Sequence, residues 1–199
     1  NSIYGNNITT SNTQSYGIYI TNNVYNNKIY DNNITTKNSI DSYGIYMYRN
    51  VKNNTFYRNK ISSLTTGILI NGSTPLGEIT KLNTFTNDTI VTCTTGCASN
   101  YNDIVLTANA TDITFTNVSF NKSRVAFVHR NPAVPVEINN LTIRWFLDVN
   151  VTNSTDNKPI SNAQVVINNS INVNVFTGST DANGGIPTQI ISEYTQNGS

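Results

Sequence analysis

Charge is scarce in this chain. Only 12% of its residues are Asp, Glu, Lys or Arg, about half the usual share for a soluble domain. Twelve basic residues against eleven acidic ones leave a net charge of +1, which supplies neither the basic footprint of a nucleic-acid binder nor a polybasic membrane anchor. There is one His, one Met, one Trp and two Cys. That inventory leaves no His-based metal site and little for copper to use. No apolar run approaches the roughly 18 residues of a membrane helix. Neither a nucleophile elbow, a phosphate loop nor a calcium-binding nonapeptide occurs. No cofactor is expected. The first residue is Asn1 and no signal peptide is visible, so the 199 residues read as a mature or trimmed product.

Asn and Thr fill the space that charge leaves. There are 36 Asn and 28 Thr, and the apolar residues are mostly Ile, Val, Tyr and Phe. This palette favours strands over helices. Four segments share the pattern Asn-x-Ile/Phe-x-x-Asn/Asp-x-Ile: Asn1 to Ile8, Asn27 to Ile34, Asn54 to Ile61 and Asn83 to Ile90. A decayed fifth copy keeps Phe115 and Phe120. The anchors Ile3, Ile29, Phe56, Phe85 and Phe115 step by 26, 27, 29 and 30 residues. A second motif precedes most anchors: Tyr16-Gly-Ile-Tyr-Ile20, Tyr43-Gly-Ile-Tyr-Met47, Thr66-Gly-Ile-Leu-Ile70 and the weaker Asn102-Asp-Ile-Val-Leu106. Between Gly67 and Phe85 six extra residues fit a loop around Ser73–Gly77.

Recurrence at so long a period lets like pair with like, one coil above the next. The expected fold is all-β, a parallel β-helix (solenoid) of five to six coils over residues 1–145. Ile and Phe anchors point inward. Tyr4, Tyr30 and Tyr57 form one outward column, and Tyr19 and Tyr46 another. Asn6, Asn32, Asn59 and Asp88 share one register, where amide side chains about 4.8 Å apart bond rung to rung. The Gly of the second motif is expected to permit a corner with positive φ. These repeats resemble the right-handed parallel β-helix of NosD-like and pectate-lyase-like proteins, a resemblance specific for fold and not for activity.

The period fades after Phe127. Arg124–Val128 and Leu141–Trp145 read as a further coil. From Phe146 the grammar becomes short strands and rich turns, the spacing of a β-sandwich. Lys158-Pro-Ile-Ser-Asn-Ala-Gln-Val165 followed by Thr180-Asp-Ala-Asn-Gly184 resembles carboxypeptidase-regulatory-like or prealbumin-like modules. At 54 residues, 146–199 is about half a seven-stranded sandwich, so the module reads as incomplete. Repeats followed by such a module look like the surface proteins of archaea and some bacteria. Both ends read as open. The stretch is either an excerpt of a longer polypeptide or a unit that neighbours complete by strand addition or coil stacking.

Polysaccharide lyases and hydrolases on this fold cluster Asp with Arg, Lys or His on one face of adjacent coils. The acids here do not fall that way, and no catalytic residue is expected. Cys93 and Cys97, in Cys-Thr-Thr-Gly-Cys, read as a small disulfide-closed loop of an oxidising, extracellular setting. Thirteen Asn-x-Ser/Thr sequons occur, at Asn7, Asn33, Asn53, Asn71, Asn87, Asn109, Asn117, Asn121, Asn140, Asn150, Asn153, Asn168 and Asn197; chance alone gives about eight. Arg49, Lys52, Arg58 and Lys60 form a basic cluster with no acid between Asp41 and Glu78. It reads as a solvated face or a contact for an anionic glycan or acidic neighbour. The expected protein is a non-enzymatic, glycosylated extracellular structural subunit of an S-layer, sheath, surface filament or adhesin. Its expected partners are copies of itself, other surface subunits and covalent N-glycans, with no nucleic acid and no membrane span. The alternative is a carbohydrate-binding or carbohydrate-processing β-helix that uses the tyrosine columns to stack on polysaccharide.

Overall fold

The computed structural model describes residues 1–37, 40–72, 78–93, 101–128 and 138–198. It is an all-β parallel solenoid. Each of the first three coils uses three strands. They are β1 Ser2–Tyr4, β2 Asn7–Thr10 and β3 Tyr16–Thr21; β4 Lys28–Tyr30, β5 Asn33–Thr36 and β6 Tyr43–Tyr48; then β7 Thr55–Tyr57, β8 Lys60–Ser63 and β9 Thr66–Asn71. The fourth opens with the short β10 Thr80–Lys81 and continues with β11 Thr84–Thr86, β12 Thr89–Thr92 and β13 Asn102–Thr107. Beyond these four coils come β14 Ala110–Thr111, β15 Ile113–Thr116, β16 Val125–Val128 and β17 Asn139–Leu147. The chain ends with β18 Gln164–Asn168, β19 Asn174–Ser179 and β20 Gln189–Gly198.

The repeat arithmetic sets the pairing. Ile3 pairs with Ile29, Ile29 with Phe56, Phe56 with Phe85 and Phe85 with Phe115, all in parallel. The second motif stacks likewise, Ile18 on Ile45, Ile68 and Ile104. Three sheets result, in the orders β1-β4-β7-β11-β15-β17-β20, β2-β5-β8-β12 and β3-β6-β9-β13-β16. Inside them the anchors are closed off from solvent: Phe56, Phe85, Phe115, Ile34, Ile61, Ile68 and Ile104 have no exposed surface. The Phe56 and Phe85 rings stack at 4.4 Å. Full burial of each such side chain stabilises by about 1.5–3 kcal/mol, so the stack is the main source of cohesion. Ile3, on the first coil, is 41% exposed. The loop expected at Ser73–Gly77 lies outside the described residues.

Corners are built from left-handed residues that also stack. Gly5, Asp31, Arg58, Asn87 and Asn117 hold φ between 52° and 67° at one corner. Asn26, Asn53, Leu82 and Asp112 do the same three residues before each anchor. Asn and Asp tolerate this conformation better than other residues with a Cβ. Here the expectation for glycine needs correction. Gly17, Gly44 and Gly67 are not among the positive-φ residues. They are needed for space: a Cβ on Gly44 would lie 2.4 Å from Ile61 Cγ2 and 2.7 Å from the Gly67 carbonyl oxygen.

In the fourth coil Asp103 takes the glycine's place in the register. It is buried, and its carboxylate accepts from the Thr92 hydroxyl and, at 2.6 Å, from the Asn121 N–H. In earlier coils the equivalent carbonyls, of Thr10, Thr36 and Ser63, accept an N–H from the next rung. The Thr92 carbonyl instead accepts from the Arg124 guanidinium at 2.7 Å. After one backbone bridge from Thr89 to Ser119, a side-chain pair thus ends the second sheet beyond β12, and the backbone turns away through a 3₁₀ turn, Lys122–Arg124.

The chain divides into two units, one of Asn1–Ile143 with Tyr194–Ser199, the other of Arg144–Glu193. In the first, Thr142 meets Thr195 at 3.0 Å. In the second, Trp145 bonds Glu193. Numbers rise on β17 as they fall on β20, which makes that pairing antiparallel. The second unit carries the antiparallel β18–β19 hairpin and the bridges Asn150–Gly185 and Thr152–Pro159. Its described residues form no second packed sheet, and no buried apolar side chain falls within it.

Replacing Gly44 by Ala should cost about 3 kcal/mol in chemical denaturation, because the new methyl must displace Ile61 or the neighbouring backbone. Replacing Leu82, at φ 58°, by Gly should instead raise stability by up to about 1 kcal/mol.

Candidate functional site

The solenoid's distinctive chemistry is its buried amides. The corner residue before each one is left-handed, which turns the next side chain inward. Asn6 donates from both its backbone N–H (3.1 Å) and its Nδ2 (2.9 Å) to Asn32 Oδ1. Asn32 repeats this to Asn59 Oδ1, at 3.2 and 2.9 Å. Asn59 repeats it to Asp88 Oδ1, at 2.7 and 2.8 Å. Each amide also donates to the carbonyl two residues before it or to the preceding coil, as Asn32 Nδ2 does to Tyr30 and Ile3. The expected register of Asn6, Asn32, Asn59 and Asp88 is therefore a hydrogen-bonded ladder with one direction.

A second ladder runs beside it. Asn27 donates to Asn54 Oδ1 at 2.9 and 3.0 Å, and Asn54 to Asn83 Oδ1 at 3.0 Å twice. Asn54 and Asn83 have no exposed surface. The repeat pattern already carried these positions as its first Asn. What sequence reasoning missed is that both ends of the three-residue strand turn a corner in the same way. A shorter hydroxyl ladder joins Thr36 to Ser63 at 2.7 Å.

Asp88 ends the first ladder as a pure acceptor, taking three N–H groups from Asn59 and Thr86. Burial outweighs those bonds and pushes its carboxyl up to about 7. An unfolded aspartate titrates near 3.8, so between that pH and about 7 the folded chain holds a proton the unfolded chain has lost. Folding stability from this group is therefore complete below pH 4, falls as pH rises to about 7, and stays lower above.

The tyrosine columns are real stacks. Tyr4–Tyr30 and Tyr30–Tyr57 ring centroids lie 4.9 and 4.6 Å apart, each pair within 3° of parallel. Tyr19 and Tyr46 stack at 5.1 Å within a group that includes Tyr16 and Tyr43. Sugar stacking needs a free ring face. In the first column each inner face meets another ring, and Arg58 covers Tyr57 at 4.8 Å. Tyr4, on the first coil, is 59% exposed. Crowding out of water raises the Tyr30 phenol pKa, with Tyr57 and Tyr4 adding to it. The basic cluster is also partly answered. Arg58 forms a two-bond pair with Asp31 on the preceding coil, at 2.7 and 2.8 Å, and holds that carboxyl below its usual range. Arg49 pairs more loosely with Glu78 at 3.8 Å.

Ten sequon asparagines are exposed: Asn7, Asn33, Asn53, Asn87, Asn117, Asn121, Asn150, Asn153, Asn168 and Asn197. Asn109 and Asn140 are half-buried, accepting from Ile138 N and Asp112 N. Asn71 is a correction. It is 1% exposed beside Gly72, whose own Cβ would sit 1.8 Å from the Ala108 carbonyl oxygen. A sugar cannot be placed there without opening the coil. Cys93 is buried at the end of β12, and Cys97 lies outside the described residues. Among the described residues no three His, Cys, Asp or Glu side chains gather as a metal site would need.

No family model matches the chain, and neither a curated protein nor a solved structure matches it.

Replacing Asn59 by Ala strands donors and acceptors on two rungs and should cost about 3 kcal/mol, against under about 1 kcal/mol for the exposed Asn6, measured by urea unfolding. Asp88→Asn should flatten the fall in melting temperature between pH 4.5 and 8. An unchanged slope would place the titration elsewhere.

Proposed function

We propose that this chain is a non-enzymatic structural protein of the cell surface, a glycosylated subunit of an S-layer, sheath, surface filament or adhesin, with the NosD-like and archaeal resemblance of its repeats as part of that reading. The observation that carries the proposal is how the buried polar groups are used. Asn32, Asn54, Asn59, Asn83 and Asp88 all bond to neighbouring rungs. Such groups give a rod that resists unwinding rather than a site that receives a ligand. Outside, exposed sequons line several coils, and covalent glycans there would shield lateral sheet edges. The tyrosine-based carbohydrate-binding alternative has less support, because ring stacking occupies the inner faces of Tyr4, Tyr30 and Tyr57; it would rest on the exposed Tyr4 and Tyr19.

Neighbouring subunits join by strand addition or coil stacking. Strand addition has the better support, because side chains end the second sheet beyond β12 and β20 occupies the far edge of the first. The second unit leaves Val166, Ile171, Val173 and Ile190 more than half exposed on or beside its short strands, the condition that an added strand relieves. The Cys93–Cys97 disulfide belongs to the same extracellular reading.

Electron microscopy of native material should show the chain in a repeating lattice or fibre. Mass spectrometry should show glycan on several sequons and a mass two hydrogens lower than the reduced chain. A monodisperse, unglycosylated monomer in native material would remove the proposal.

A further inference from the structure

The sequons are not independent of one another, because the solenoid places some of them on adjoining rungs. Asn7 and Asn33 are register partners on β2 and β5, and both sit in the same tripeptide, Asn-Ile-Thr. Both are exposed, and Asn33 Nδ2 donates to Asn7 Oδ1 at 3.4 Å. Asn87 and Asn117 occupy one left-handed corner on consecutive coils, and Asn117 Nδ2 donates to Asn87 Oδ1 at 2.7 Å. In both pairs the higher-numbered amide is the donor.

We propose that these are exclusive pairs: each carries one N-glycan, on Asn7 rather than Asn33 and on Asn87 rather than Asn117. This rests on the glycosylated surface reading above. Glycan transfer forms a bond from Asn Nδ2 to the anomeric carbon of a lipid-linked glycosyl diphosphate, breaks the bond from that carbon to the diphosphate lipid, and releases one amide proton. The atom that must be free is therefore Nδ2. In Asn33 and Asn117 it points at the neighbouring rung and is engaged there. In Asn7 and Asn87 the group that meets the neighbour is the accepting oxygen, not Nδ2. Adjacent rungs are about 4.8 Å apart, too close for two branched glycans to leave side by side from register partners.

The Asn7/Asn33 pair gives the cleaner test, since identical tripeptides remove any local sequence preference. The full chain is secreted from a eukaryotic host that performs N-glycosylation. Occupancy is then read by enzymatic deglycosylation in heavy-oxygen water and tryptic mapping, in which residues 1–28 and 29–37 report the two sites separately. Asn7 should be occupied several-fold more than Asn33, with the two fractions summing to no more than one per chain. In an Asn7→Ser variant, occupancy at Asn33 should rise toward the level Asn7 had. Equal occupancy, a sum above one, or an Asn33 signal indifferent to the Asn7 change would overturn the inference. So would two empty sites in a chain glycosylated at Asn53 or Asn168, which would leave the surface reading intact. A chain bare at every sequon would count against both.

Discussion

One hydrogen bond, made again and again, carries this architecture: a side-chain amide giving its proton to the amide oxygen of the coil that follows. A parallel sheet alone fixes spacing but tolerates sliding, since one peptide group resembles another. A buried amide does not tolerate it. Asn59 displaced by one residue would leave its oxygen and nitrogen without partners in a dry interior, where an unmade bond is costly. The ladders convert a generic stack of strands into a stack with one register. They also explain why a polar composition and a continuous apolar core coexist. Asn32 and Asn54 are as well buried as the isoleucines and phenylalanines beside them.

The same residue type does the opposite job one position earlier. Asn26 and Asn53 adopt the left-handed conformation at the corner, and Asn27 and Asn54 follow as ladder members. Asn87 stands before Asp88 in the same way. One residue bends the chain and the next ties it to its neighbour. Exposed asparagines and fully enclosed ones alternate in consequence. Sequons arise as a by-product wherever a threonine or serine falls in the following strand.

Much of the solenoid was legible from spacing. The anchors from Ile3 to Phe115 pair as their separations require, because a period that recurs four times in succession is hard to satisfy in any other way. Side-chain roles were less legible. That Gly44 is needed for room and not for its φ depends on a contact with Ile61 from another strand, which no local pattern records. The Arg58–Asp31 pair joins residues 27 apart and was hidden inside what read as an unopposed basic cluster. Asn71 looked like any other sequon until its burial was known. The return of β20 to pair with β17 left no trace in the repeat, since it is antiparallel and belongs to no period.

The Asp103–Arg124 closure has a consequence for how such a chain can change length over generations. A tandem duplication placed after β13 would have to dislodge a carboxylate and a guanidinium that already fill the seat of the incoming turn. A duplication placed among the earlier coils meets only glycine and an amide ready to accept its copy. Growth and shrinkage of the gene should therefore be concentrated upstream of that pair, with the terminal coil inherited as a fixed stop.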